Sequence, residues 1–178
     1  MRLLIDACVL YPTVPREILF GLAAQGRAEL FWSPRILEEW RRAVLRNAPD
    51  DGDLVAAEIA VARARFPGAE VAPDSDVEAD LRLPDANDAH VLAAALAAGA
   101  DSVVTFNLKD FPGRVLARHG VMVRHPDALL LEAFHTAPDL IRAVTGPILA
   151  PLLAQGGTDA RRLLKRARLP RLGKALSA

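Results

Sequence analysis

The residues of this chain best suited to chemistry are acids. Asp6 follows a short apolar run, Glu38 and Glu39 are adjacent, Asp85 and Asp88 are three apart, and Asn107 precedes Asp110 by the same spacing. Hard divalent cations such as Mg²⁺ or Mn²⁺ take oxygen ligands, keep several waters, and need few protein carboxylates when substrate phosphates complete the shell. One such ion can activate water, and two about 4 Å apart can clamp both oxygens of an in-line phosphoryl displacement. An acidic cluster can therefore be catalytic without a nucleophilic Ser or Cys triad.

These residues need elements to carry them. Arg2–Ile5 is an apolar run of the kind that fills a buried parallel strand, and Asp6 stands at its carboxyl end. Pro15 opens a helix through Leu22 that Gln25-Gly26 can close; Leu30–Trp32 is a second strand; Ser33-Pro34 launches a helix to about Arg46. A helix from Asp53 to Arg65 ends at Pro67-Gly68, and residues 73–84 form an acidic loop with at most one short helix. Asp85–Ala98 is an alanine-rich helix closed by Gly99, Ser102–Thr105 a β-branched strand, and Phe106–Pro112 a loop. Val121–Arg124 is a last strand and Pro126–Phe134 a helix. Strands separated by helices imply a parallel sheet with helices on both faces. In such sheets ligands bind beyond the carboxyl ends of the strands, where this reading puts Asp6, Asn107 and Asp110.

Helical projection at about 100° per residue sorts the other acids. Asp85 and Asp88 fall on the face marked by Val91, Leu92, Ala95 and Leu96, and a carboxylate facing a core must be paired or hold a cation. Asp85 reads equally well as a helix cap, and Asp6 taken alone as a turn residue. Glu39 lies on the flank of the stripe formed by Ile36, Leu37, Trp40 and Val44, with Glu38 nearly opposite. His90 projects away from the apolar face of its helix, and His90, His119, His125 and His135 show no ligand spacing. Cys8 reads as a small buried hydrophobe and Thr105 as a strand residue whose hydroxyl can support the site; Lys109 is a loop cation able to meet phosphate.

The ordered segments LLIDACVL, SPRILEEW, LPDANDAHVLAAALAAGAD and VVTFNLKDFP resemble the PIN-domain ribonucleases, in particular the toxins of toxin–antitoxin operons of the VapC type. The resemblance runs from about Arg2 to Phe134. It carries the family's metal and catalytic acids onto Asp6, Glu39 and Asp88. The fourth position is divided between Asn107, where many PIN domains have an acid, and Asp110, with Asp85 and Thr105 in support. It implies an α/β/α sandwich around a central parallel sheet of four or five strands, endonucleolytic cutting of single-stranded RNA with Mg²⁺ (or Mn²⁺), a homodimer and, for toxins, an antitoxin partner. The neutral Asn107 removes one charge and weakens the case for a second metal.

Composition bounds the rest. The 178 residues, 52% hydrophobic, suit one folded domain, and the formal net charge of +0 argues against binding nucleic acid by bulk charge. The lone Cys8 excludes an internal disulfide and a thiolate zinc site and suits a cytoplasmic protein. The N-terminal apolar run, cut by Asp6 and Pro12, is too short for a signal peptide or membrane span. A Mg²⁺-dependent phosphatase of the haloacid dehalogenase kind wants a second aspartate where Cys8 stands, and a receiver-like switch wants adjacent acids. A PIN-like module that binds RNA or a partner without cutting is the other alternative, against which the set Asp6, Glu39 and Asp88 argues.

The division expected is a nuclease domain over residues 1–135 and a helical, basic extension over 136–178. In the extension, Leu140, Ile141, Val144, Ile148 and Leu149 recur at helical spacings. Arg161, Arg162, Lys165, Arg166, Arg168, Arg171 and Lys174 follow with no acid after Asp159. That stretch is a candidate RNA contact, or alternatively a solvated face or a strip for an acidic partner.

Overall fold

The computed structural model describes residues 1–156 and 159–177 and resolves into two compact units, Met1–Tyr11 with Glu29–Arg124, and Pro12–Ala28 with His125–Ala178. The first unit is α/β. Its strands are β1 (Arg2–Ile5), β2 (Glu29–Phe31), β3 (Ser102–Val104) and β4 (Met122–Arg124), all parallel, in the order β2-β1-β3-β4. Its helices are α1 (Ala7–Leu10), α3 (Pro34–Asn47), α4 (Gly52–Arg65), α5 (Ser75–Asp80), α6 (Ala89–Ala98) and α7 (Gly113–Arg118), and the second unit holds α2 (Thr13–Ala24), α8 (Pro126–Thr136), α9 (Pro138–Ala154), α10 (Ala160–Arg166) and α11 (Pro170–Leu176). The four parallel strands and their helices are consistent with the α/β/α sandwich expected.

The two middle strands are apolar and buried. Leu3, Leu4 and Ile5 are buried on β1, as are Val103 and Val104 on β3. Parallel pairing of Ile5 with Val104 lines up the carboxyl ends of the two middle strands, and the pairing runs one residue on, since Asp6 N donates to Val104 O at 3.1 Å. Because β2 follows β1 on one side and β3 lies on the other, the chain reverses direction of winding at β1.

Caps fix the helices that carry acids. Ser33 Oγ accepts from Ile36 N at 3.2 Å and Pro34 occupies the first turn of α3. Gly99, at φ 56°, ends α6 in the left-handed conformation that a side chain disfavours. The segment before α6 departs from expectation. In place of one helix from Asp85, a 3₁₀ turn spans Ala86–Asp88 and the α-helix starts at Ala89. Two further helices, α1 and α7, stand where no helix was expected. The acidic stretch before Pro84 does hold one short helix, α5.

In the second unit, α2 packs on α9, and α11 packs on both α8 and α10. Buried Asp127 ties α8 to α11 by accepting from Arg171 N at 3.0 Å and Leu172 N at 2.9 Å, an N-cap supplied from another helix. Gly21 of α2 faces α9, and an added Cβ there would lie 2.5 Å from Val144 Cγ1. Gly21→Ala, which in an open helix would stabilise by about 1 kcal/mol, is therefore expected to destabilise by about 1–3 kcal/mol. Adding Val144→Ala should recover part of the loss. Thermal denaturation of the three variants checks this, and a single Gly21→Ala variant at least as stable as the parent would show that the two helices do not meet there.

Candidate active site

Asp6 sits at the end of β1 with 9% of its surface exposed. Its Oδ2 accepts from Thr105 Oγ1 at 2.7 Å and from Cys8 Sγ at 3.0 Å. It is the N-cap residue of α1 by position, yet its side chain makes no cap hydrogen bond, so Oδ1 remains open among the described residues. The neighbouring strand supplies Thr105, completely buried, whose hydroxyl also accepts from Asn107 N at 2.9 Å and so shapes the turn leaving β3. Thr105 is thus a support for Asp6 and not merely a β-former. Cys8 differs from expectation too. It is half-buried, lies 3.3 Å from Thr105 Oγ1 and accepts from Phe106 N, and burial together with the Asp6 charge pushes its thiol up to about 12. At neutral pH it is a thiol that donates to a carboxylate, and as a nucleophile it is inert.

Across from Asp6, Asp88 closes the 3₁₀ turn without making a side-chain cap bond. Desolvation, followed by the charges of Asp6, Asp85 and Asp110, raises its carboxyl to about 6, while His90 pulls it the other way. The candidate acids Asp6, Asp85, Asp88 and Asp110 therefore share one electrostatic field. Asp85 does not face the core as projected. It is exposed, and it caps the 3₁₀ turn by accepting from Asn87 N at 2.9 Å. Asn107 and Asp110, both half-buried, are bound to each other through Asn107 Nδ2 and Asp110 Oδ2 on a second 3₁₀ turn, Leu108–Asp110. Lys109 on that turn is exposed.

The two glutamates of α3 are almost equally exposed, at 35% for Glu38 and 36% for Glu39, so burial does not separate them; their partners do. Glu38 is held by Arg41 and Arg42, whose hydrogen bonds bring its carboxyl down to about 2. Glu39 Oε1 lies 3.0 Å from His90 Nε2 and 3.5 Å from Arg35 Nε. Arg35 also reaches Glu78 Oε1 at 3.1 Å and Asn87 O at 3.2 Å, linking α3 to α5 and to the Asp88 turn.

His90 is a correction. It does not project away from the core but is buried, and its Nδ1 has no hydrogen-bond partner. The projection assumed a uniform helix from Asp85. A 3₁₀ turn advances about 120° per residue instead, and α6 is buried nearly all round, so it offers no polar face. An unpartnered buried polar atom costs about 1–3 kcal/mol, which marks the position as one not chosen for stability. Arg35 was likewise missed, having no signal in sequence beyond its i,i+4 spacing to Glu39.

Among the described residues no three His, Cys, Asp or Glu side chains form a ready-made metal cage. The donor set still suits a hard divalent ion, since it consists of oxygens, carries an excess of negative charge, and includes an accessible Asp6 oxygen. Such an ion would draw much of its shell from water and phosphate. Of the remaining candidates, Arg161, Arg162, Lys165 and Arg166 are exposed on α10 in the helical unit. No described helix is long and apolar enough to cross a membrane.

The family model described as PIN domain matches residues 2–109. A protein named "Putative ribonuclease VapC50", from Mycobacterium tuberculosis strain ATCC 25618 / H37Rv, is 40% identical over 57 residues, 32% of this chain and 34% of that protein. The chain thus matches about a third of that relative's length. No solved structure matches the chain.

Asp88 gives the site a pH signature. Its folded-state pKa, about 6, exceeds the ordinary 3.8. The folded state therefore holds the proton more tightly, and the stability this contributes is full below pH 3.8 and is lost as pH rises through about 6. In metal-free buffer, the fall in melting temperature over that window should be steeper for the parent than for Asp88→Asn, which has no proton to lose. Parallel curves would mean that neither burial nor its acidic neighbours raise the Asp88 carboxyl.

Proposed function

The chain belongs to the PIN-domain family, and on that premise we propose that it is a metal-dependent endoribonuclease that cuts single-stranded RNA. Its acidic site would use Asp6, Glu39, Asp88 and Asp110 as the catalytic acids, with Asn107 as a further oxygen ligand. The reading rests above all on one observation: Asp6, at the carboxyl end of the central strand, keeps an open oxygen in the field that raises Asp88. The likeness to a protein named as a ribonuclease of the VapC series supports extending it to the toxin of a toxin–antitoxin pair, acting in the cytoplasm as a homodimer and held in check by an antitoxin protein.

The chain's own residues have distinct tasks in this scheme. Thr105 and Cys8 both donate to Asp6 Oδ2, which fixes the carboxylate and leaves Oδ1 to bind. Asp88 and Asp110 bring negative charge whose mutual repulsion a cation relieves. A divalent ion, Mg²⁺ or Mn²⁺, lowers the cost of drawing a nucleophile from water and of building charge on phosphate oxygens. Lys109, exposed on the turn beside Asp110, meets a phosphate of the substrate strand. Arg161, Arg162, Lys165 and Arg166, exposed along α10, hold RNA by charge and carry no sequence information. In the domain scheme that goes with this reading, residues 1–135 provide the nuclease and 136–178 the helical basic extension.

Purified protein is expected to cut a single-stranded RNA with Mg²⁺ or Mn²⁺ and to stop in excess chelator. Asp6→Asn and Asp88→Asn should each lower the rate by orders of magnitude with circular dichroism unchanged. Undiminished cleavage in chelator, or in both variants, would refute the proposal. Glu39→Gln should inactivate the enzyme, whereas Glu38→Gln, which loses only exposed pairs with Arg41 and Arg42, should be nearly silent. The reverse pattern would put Glu38 at the site. Neutralising Arg161, Arg162, Lys165 and Arg166 together to Gln should weaken RNA binding and flatten its salt dependence by roughly 0.7 in the log–log slope per lost phosphate contact. An unchanged slope would assign α10 to a protein partner.

A further inference from the structure

We infer that His90 is a positioning residue that aims Glu39 at the acidic site, an inference that rests on the function proposed above. Glu39 comes from α3 and Asp88 from the turn before α6, so something must fix the distance between two elements that no strand pairing joins. His90 lies two residues after Asp88, in the first turn of α6, with a side chain only 2% exposed and its Nε2 3.0 Å from Glu39 Oε1. A single stretch of backbone therefore carries one acid of the site and the grip on another.

The grip is one-sided. Both partners of Glu39, His90 and Arg35, use Oε1, which leaves Oε2 uncommitted among the described residues. Arg35 cannot define the position alone, because it is 49% exposed, lies at 3.5 Å, and divides its guanidinium between Glu78 and Asn87 O. His90 has no such freedom, being packed within the most buried helix of the sheet unit. An imidazole N–H bound to one oxygen of a carboxylate fixes its orientation and leaves the other oxygen to bind a cation, the arrangement by which outer groups tune metal-binding side chains. The second nitrogen, buried and unpartnered, gains nothing for the fold. The contact with Glu39 is the hydrogen-bonding interaction that distinguishes histidine from an apolar residue of similar size at this position, beside its lesser pull on the Asp88 carboxyl.

The test compares the full-length parent with His90→Leu, His90→Gln, Glu39→Gln and the double variant His90→Leu/Glu39→Gln. Mn²⁺ affinity is followed by the electron paramagnetic resonance of the free ion, cleavage with a single-stranded RNA oligonucleotide, and stability by thermal melting. His90→Leu should lose about 10- to 100-fold in Mn²⁺ affinity or cleavage rate without a lower melting temperature. His90→Gln, which keeps a donor of comparable reach, should recover part of that loss. In the Glu39→Gln background the leucine substitution should cost nothing more, since the group it acts through is already gone. Parent-like affinity and rate in His90→Leu would overturn the inference, as would losses that simply add in the double variant or that follow the melting temperature. A parent protein that neither binds Mn²⁺ nor cuts RNA would instead overturn the proposed nuclease, and this inference with it.

Discussion

Everything at the candidate site depends on the parallel pairing of β1 with β3. That ladder aligns Ile5 with Val104 and, one step beyond, brings the Asp6 carboxylate onto the Thr105 hydroxyl at 2.7 Å. A slip of one residue would turn Asp6 to the other face of the sheet. It would also leave a completely buried Thr105 hydroxyl without its acceptor. Register and chemistry are therefore one constraint. The apolar side chains Leu3, Leu4, Val103 and Val104 fix the register by being buried, and the two polar residues at the strand ends exploit it. The acids then gather by a different means, since Asp88, Asp85 and Asp110 stand on 3₁₀ turns and caps, elements too short to be stable alone.

How far the sequence reveals this follows from the range over which each signal acts. Strand β1 and the start of α3 are legible because their signals are local, an uninterrupted apolar run in one case and Ser33-Pro34 in the other. Asp6 at a strand end and Glu39 on a helix are legible in the same way, whereas Asp88, which reads as helical, stands on a 3₁₀ turn. What eludes a linear reading is anything decided by partners distant in the chain. Glu38 and Glu39 have the same exposure, and only the arginines beside one and the histidine facing the other separate them. His90 was misplaced because two kinds of helix share the segment from Asp85 to Ala98, and a single period cannot describe both. Cys8 looked like filler, yet its thiol completes the set of donors around Asp6. Helix α7 starts at Gly113, inside a Pro112-Gly113 pair that reads as a turn, and it forms with Leu116 completely buried.

The formal net charge of +0 hides a sharp separation. Burial, with the charges of Asp6, Asp85 and Asp110 added to it, raises Asp88 to about 6, whereas α10, α11 and the turn between them expose Arg161, Arg162, Lys165, Arg166, Arg168, Arg171 and Lys174 with no acid among them. Bulk charge is thus a poor guide to what this protein can hold, because a site that attracts cations and a surface that attracts anions cancel in the sum. Both would be weakened by salt, the exposed basic surface more than the partly desolvated acids.

The packing of α2 on α9 has a consequence for how the chain is made. Helix α2 leaves the ribosome early, but Val144, which faces Gly21, follows more than a hundred residues later. At ordinary synthesis rates that is a wait on the order of ten seconds. Throughout it Ile18, Leu19 and Leu22, all buried in the finished protein, lack the helix that packs against theirs. The sheet unit draws its residues from both sides of this segment. The early helix therefore waits with an apolar flank uncovered, and a message cut short before α9 would yield a chain with an adhesive flank.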